Sequence, residues 1–163
     1  MKDWLSKWAI YSPSHIAIKE YETGKTYTYS ELNTAANQLA NVLTTEYGLR
    51  STDRIAIVAE NCAEYVILLG VAQKTGIIIV PLNYRLAVGE IDYLLENSKP
   101  KMVIWEAKFA QLVTKTAYFN QIDHQIPLEN LEPIYKKFTK KSFQPVEIDD
   151  NQAAFILYTS GTT

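Results

Sequence analysis

The stretch Arg54-Ile55-Ala56-Ile57-Val58-Ala59 decides the fold. Apolar residues occupy consecutive rather than alternate positions, and Ile55, Ile57 and Val58 are β-branched, so the run reads as a strand covered on both faces. Asn61 follows as an expected helix N-cap, with Glu64 three residues on, close to a capping box. The helix expected over 62–74 is apolar almost all round (Val66, Ile67, Leu68, Leu69, Val71), so it should be buried on more than one side. Gly76 stops it. Residues 77–80 are a second buried strand, and Pro81 is expected to end its ladder. The rhythm then repeats. Residues 90–96 form a helix with Ile91, Leu94 and Leu95 on one face, closed by Ser98 and Pro100. Residues 101–105 are a strand, and 107–116 a helix with Phe109, Leu112 and Val113 on one side. Strands alternating with helices imply parallel crossovers, hence an α/β fold: a parallel-rich sheet with helices on both faces.

Upstream, residues 15–20 and 26–29 read as an amino-terminal β-hairpin turned by Thr23-Gly24-Lys25. Ser30 is the expected N-cap of the helix that follows. That helix carries Leu32, Ala35, Ala36, Leu39 and Leu43 as a one-faced stripe and ends at Gly48. Downstream, residues 118–152 give a weaker signal. Leu128, Leu131, Ile134, Tyr135 and Phe138 have helical spacing, but Pro127 and Pro133 keep any helix short. Lys136, Lys137, Lys140 and Lys141 form a basic cluster that a phosphate or membrane surface could use. A solvated helix face is the favoured reading, with Glu147, Asp149 and Asp150 close behind to cancel part of its field. Residues 153–158 (Ala-Ala-Phe-Ile-Leu-Tyr) are expected to be a buried strand that runs into Thr159-Ser160-Gly161-Thr162-Thr163.

Composition narrows the classes. At 163 residues, 47% apolar and 21% charged, the chain suits one globular domain rather than a disordered segment. A net charge of −2 is too balanced for the positive field of a nucleic-acid binder. Cys62, the single cysteine, excludes an internal disulfide and fits a reducing, cytoplasmic setting. The longest apolar stretches fall far short of the ~20 residues that span a bilayer. The first ten residues carry Lys2, Asp3 and Lys7 with no apolar run behind them, unlike a secretory signal.

The hydroxyl-rich tail is where chemistry is expected. Small and hydroxyl side chains let backbone approach an anion, Gly161 reaches φ values closed to other residues, and successive N–H groups can form an anion nest. Alone, that composition also fits an ordinary surface loop. Other candidates read as structural. His15 and His124 have no ligand partners at zinc spacing. Cys62, at an expected helix N-terminus, lacks a partner base and reads as a packed cysteine. The stretch 65–71 reads as core rather than as a channel wall. Asn83 and Arg85 follow a strand, where α/β sheets place ligands, but a corner-stabilising polar pair is the favoured reading over substrate contact.

Tyr158-Thr-Ser-Gly-Thr-Thr163 resembles the opening of the signature loop of AMP-forming acyl-CoA synthetases and related adenylating enzymes. Val80-Pro81-Leu82-Asn83-Tyr84-Arg85-Leu86 with Glu90-Ile91-Asp92-Tyr93-Leu94-Leu95 is similar to the family's Pro-Leu-Asn-x-Arg segment and following helix. Thr28-Tyr29-Ser30-Glu31-Leu32, Asp53-Arg54-Ile55-Ala56-Ile57 with Asn61, and Asp149-Asp150 fit too, in the family's order and over nearly the whole chain. The resemblance departs at Ala87 and Val88, where the family usually has a capping Thr or Ser, so that helix is expected to begin late or fray. It also departs at Thr163, where the family's loop continues through Gly, Pro and Lys.

The resemblance implies that residues 1–163 are one amino-terminal subdomain of a longer enzyme, cut within the phosphate-binding loop. In such an enzyme a carboxylic acid and ATP, with Mg²⁺, form an acyl-adenylate that is then transferred to coenzyme A. Thr159, Ser160, Gly161, Thr162 and Thr163 are the implied phosphate-binding residues. No catalytic or metal-ligating residue is expected here, and the chain alone should be inactive and bind ATP weakly. An apolar final strand left without neighbours implies self-association, most simply a symmetric dimer. The alternative is a free-standing, non-catalytic binding module on the same scaffold. A longer reading frame encoding the missing half would discriminate the two.

Overall fold

Strand and helix formation follow the apolar pattern closely. The structure, a computed structural model, describes residues 3–21 and 23–159. The elements are α1 (Trp4–Tyr11), β1 (Ile16–Lys19), β2 (Thr26–Thr28), α2 (Tyr29–Thr45), β3 (Arg54–Val58) and α3 (Ala63–Thr75). They continue with β4 (Ile78–Pro81), α4 (Val88–Ser98), β5 (Met102–Trp105), α5 (Ala110–Thr114), β6 (His124–Pro127) and α6 (Leu128–Lys136). β1 and β2 form an antiparallel hairpin, while the main sheet has the order β4-β3-β5-β6 with every pair parallel. The α/β class and the hairpin are therefore present as the sequence implies.

Alternation along the strands sorts the core into two faces. Ile55, Ile57, Ile79, Met102, Ile104 and Ile126 join one cluster with Leu39 and Leu43 of α2, Ile67 and Leu68 of α3, and Leu131 of α6. Ala56, Val58, Val80, Val103 and Trp105 join the other, with Ile91, Leu94 and Leu95 of α4 and Val113 of α5. Each buried Ile or Leu contributes about 1.5–3 kcal/mol, which makes this double-sided burial the dominant favourable term.

Helix starts differ from the sequence reading. Thr28, not Ser30, caps α2: its hydroxyl accepts from the Glu31 N–H (3.2 Å) while the Glu31 carboxylate accepts from the Thr28 N–H (2.8 Å). Ser30 lies inside the first turn. Cys62, not Asn61, is the N-cap of α3, and no side chain of its own caps it. The Glu20 carboxylate of the hairpin turn accepts the Ala63 N–H instead (3.4 Å). α4 begins promptly at Val88, because Glu90 reaches back to the Ala87 N–H (2.8 Å) even though Ala87 has no acceptor. The helix expected over 107–116 is a 3₁₀ turn (Ala107–Phe109) followed by the short α5. α1 and β6 are additions. α1 is held by Asp3, whose carboxylate accepts the Ser6 N–H, and β6 is a polar edge strand, His-Gln-Ile-Pro.

The largest correction concerns residues 153–158, which are not a buried strand. Only one parallel bridge, Ile79 with Phe155, ties them to the outer edge of β4, and Leu157 is 70% exposed. The Ile79 N–H donates to Ala154 O (2.9 Å) and the Ile156 N–H donates to Ile79 O (3.0 Å). In a parallel ladder the next donor on that side belongs to residue 81, which is proline and has none. On the inner side the ladder survives, because Leu82 N–H donates to Ile57 O (2.9 Å). Pro81 thus ends pairing on one side only.

Candidate functional site at the carboxyl edge of the sheet

Parallel strands deliver their following loops to one edge, where doubly wound sheets bind ligands. Here that edge collects the turns after β3, β4, β5 and β6, and residues 153–156 run parallel to β4 toward it.

Two regions share the edge. Under the hairpin, beyond β3, β5 and β6, lies an open cleft of about 690 Å³. Glu20, Glu60, Glu64, Glu106 and Glu129 outnumber Lys19 and Lys108 along it. Most of these carboxylates are engaged in structure. Glu106 accepts the Glu60 N–H (3.1 Å), Glu129 accepts the Ala107 N–H (2.7 Å), and the Lys108 ammonium bridges Glu60 (2.6 Å) and Glu106 (2.9 Å). The surplus of carboxylates makes this lining unfavourable for a phosphate group. Cys62 lines the same cleft, and burial, with Glu64 beside it, pushes its thiol up to about 12, the opposite of an activated nucleophile.

The second region is the corner after β4, next to residues 153–159. Asn83 Oδ1 accepts the Arg85 N–H (3.0 Å), an Asx-type turn that shapes the corner. The Arg85 guanidinium lies over the Tyr84 ring at 4.8 Å, and Tyr84 stacks on Phe109 at 4.8 Å. Asn83 and Arg85 are both exposed and act on their own turn. Tyr158 packs against the α4-side core, and its hydroxyl donates to Asn97 Oδ1 of α4 (2.6 Å). Thr159 is exposed just beyond. Ser160, Gly161, Thr162 and Thr163 lie outside the described residues.

Remaining candidates fall where their structural readings put them. His124 Nε2 sits 3.0 Å from the Tyr47 carbonyl, and its ring meets Tyr47 edge-on. Ile67, Leu68 and Val71 are core. Lys136 pairs with Glu132 on the surface of α6 (2.6 Å). Among the described residues no three His, Cys, Asp or Glu side chains are grouped so as to hold a metal ion. No helix of the described residues is long and apolar enough to cross a membrane. Sequence reasoning missed Asn97, which carries no local signal. The one-sided role of Pro81 was readable only once β4 was known to have a neighbour on each side.

A parallel sheet covered by helices on both faces, with residues 153–156 laid parallel on its outer edge, defines an α/β scaffold. The model of the AMP-binding enzyme family matches residues 5–163, and the chain belongs to that family. It is 32% identical over 159 residues to the long-chain-fatty-acid–CoA ligase FadD13 of Mycobacterium tuberculosis, covering 95% of this chain and 31% of that one. It is 33% identical over 162 residues to the 2-succinylbenzoate–CoA ligase of Oceanobacillus iheyensis, covering 98% and 31%. The crystal structure of the N-terminal domain of FACL13 from M. tuberculosis superposes with a TM-score of 0.87 at 31% identity, covering 98% of this chain and 42% of that one. The chain thus spans about a third of the length of these curated relatives. It matches the amino-terminal domain of AMP-forming acyl-CoA ligases.

Proposed function

We propose that this chain is the amino-terminal part of an ATP-dependent ligase that converts an organic acid, of the fatty-acid kind, to its coenzyme A thioester through an acyl-adenylate. The observation that supports it is the placement of residues 153–156: Phe155 bridges Ile79 in parallel, so the segment that leads in sequence to the hydroxyl-rich residues runs along β4 toward the carboxyl edge of the sheet. Thr159, Ser160, Thr162 and Thr163 would offer hydroxyl and backbone donors to the β- and γ-phosphates, with Gly161 allowing close approach. Their part is positioning and charge stabilisation while the acid attacks the α-phosphorus. When bound, Mg²⁺ offsets phosphate charge. The acceptor assigned is coenzyme A, the acceptor of the related ligases, and the setting the cytoplasm, where ATP and coenzyme A are at hand.

Titrating the chain with ATP while following backbone amide resonances tests this reading. Shifts concentrated at residues 159–163 support it, and shifts absent or confined to the acidic cleft overturn it. The 163 residues alone should bind weakly and give no pyrophosphate exchange with acid and Mg²⁺. Measurable exchange would refute their inactivity. The outer edge at residues 153–158 is also proposed to pair two copies, so light scattering at high concentration should return a dimer, and a monomer throughout counts against it.

A further inference from the structure

Between α6 and the bridge at Phe155, residues 137–152 form neither helix nor strand, and most of 139–150 is exposed. The run is nevertheless fastened at both ends. Near its start, amides of α2 donate to its carbonyls: Gln38 Nε2 to Phe138 O (2.6 Å), Asn37 Nδ2 to Lys141 O (3.0 Å) and Asn41 Nδ2 to Ser142 O (2.9 Å). Farther on, the Val146 N–H donates to Lys74 O (3.0 Å) and Gln152 Nε2 to Gly76 O (2.7 Å), both at the carboxyl end of α3. The run then meets β4, where Ala154 O accepts the Ile79 N–H and Ile79 O accepts the Ile156 N–H.

The grip on α2 is polar. Gln38 and Asn41 are only 7% and 5% exposed, on a helix whose other buried residues are all apolar. When the run lifts, water can take each of these amides and carbonyls, so no polar group is stranded. The apolar grip is small, since Phe138, Phe143 and Phe155 are partly buried and Ile148 alone is buried between 139 and 150. Few buried apolar contacts and replaceable bonds place a segment at the low-stability end of a fold, where opening is local and cooperative.

We propose that residues 138–156 are a strap that opens and closes as one unit, latched to α2 by Asn37, Gln38 and Asn41, so that this latch decides whether residues 154–156 lie on β4. Closed, the strap covers the outer N–H and carbonyl of Ile79. Open, it leaves β4 with an unpaired edge. Because both ends belong to one element, loosening either end loosens the other. The inference goes beyond the functional reading above and does not depend on it.

Native-state amide exchange on the full 163-residue chain tests this. In the wild type, Val146, Ile79 and Ile156 should exchange through one shared opening, with less protection than Ile57 and Ile104 of the inner strands. Asn41→Ala should lower protection at all three roughly fivefold, the size of effect one neutral hydrogen bond carries. Asn41→Asp removes the same donor at nearly unchanged volume and should lower it at least as much, which separates the bond from packing. Gln152→Ala, at the far end, should lower protection at Val146 by a similar factor. Ile57 and Ile104 should keep their wild-type protection throughout. If both Asn41 variants leave Ile79 and Ile156 unchanged, the two ends open separately and there is no strap. If Ile57 and Ile104 lose as much protection as Ile156, these bonds hold the whole fold, and the latch is overturned as well.

Discussion

Replacing Asp3 by alanine should lower stability by roughly 3 kcal/mol, at the low end of the cost of stranding one partner of a buried ion pair. The reason lies in Lys74, only 1% exposed in the middle of the helical face. Its ammonium donates to Asp3 Oδ2 (2.6 Å), Ser6 Oγ (2.8 Å) and Asn33 Oδ1 (2.8 Å), which accounts for all three of its hydrogens. Asp3 alone supplies the opposing charge. Without it two neutral acceptors remain around an unpaired buried cation, and α1 also loses the carboxylate that accepts the Ser6 N–H. For a chain of this size the loss corresponds to a fall of roughly 9 °C in the unfolding midpoint, measurable by calorimetry. Lys74→Met in the Asp3→Ala background should restore part of that, because it removes the stranded charge and keeps an apolar stem. An Asp3→Ala variant within 1 kcal/mol of wild type would show that the pair is not what holds α1.

The same group gives the pH dependence a sign. Burial pushes the Asp3 carboxyl up, but the Lys74 ammonium and the two Ser6 bonds outweigh it and hold the group below its ordinary 3.8. A depressed carboxyl stabilises the fold above its unfolded value and stops doing so as pH falls through its folded one. The contribution is therefore intact above about pH 4 and fades below it. The stability of Asp3→Ala should vary less with pH than that of the wild type in that acidic range.

This network also marks where sequence legibility ended. β3, α3, β4 and β5 were visible because they are buried on two sides, and continuous burial writes continuous apolar runs such as Arg54–Val58. α1 wrote no such signal: Leu5 is its single buried residue, while Trp4 and Trp8 stay half exposed. The burial of Lys74 leaves no mark in the sequence, since nothing local distinguishes a buried lysine from a solvated one. Its partners lie 41 and more positions away. The caps failed for the same reason. Asn61 is the better capping type, but the acceptor at the start of α3 comes from Glu20, across the hairpin. At the candidate site, composition and family likeness single out the hydroxyl-rich segment 159–163, of which Thr159 alone is among the described residues. The bond from the Tyr158 hydroxyl to Asn97 is not legible there, because it spans 61 positions of chain. Apolarity alone makes 153–158 resemble a buried strand. A proline on the neighbouring strand limits that segment to one bridge.

Gly76→Val should be about as damaging as the loss of Asp3, and it acts on the segment that lies along β4. Gly76 ends α3 in the left-handed region (φ +72°), where its N–H donates to Ala72 O (2.9 Å). Its carbonyl accepts both the Thr52 N–H (2.8 Å) and the Gln152 Nε2 amide (2.7 Å). A side chain there meets two penalties. The left-handed backbone costs a residue bearing a β-carbon about 1–2 kcal/mol. That β-carbon would also overlap Ser51 Oγ and the Gln152 amide, and overpacking of this kind costs about 1–3 kcal/mol. Together these amount to about 2–5 kcal/mol, a fall of roughly 10 °C in the unfolding midpoint. The second penalty has a directional effect. Gln152 is the last side-chain tie before the Ala154 carbonyl meets Ile79, so displacing it should free residues 153–158 from β4 before the rest of the sheet yields. Amide exchange should then show lost protection at Ile156 at temperatures where Ile57 and Ile104 remain protected. Gly76→Asn separates the two penalties, since asparagine tolerates the left-handed backbone yet still brings a β-carbon. It should recover the part of the midpoint lost to the backbone penalty while leaving Ile156 unprotected. A Gly76→Val chain that keeps both its midpoint and its Ile156 protection would mean that the turn after α3 does not fasten this edge of the sheet.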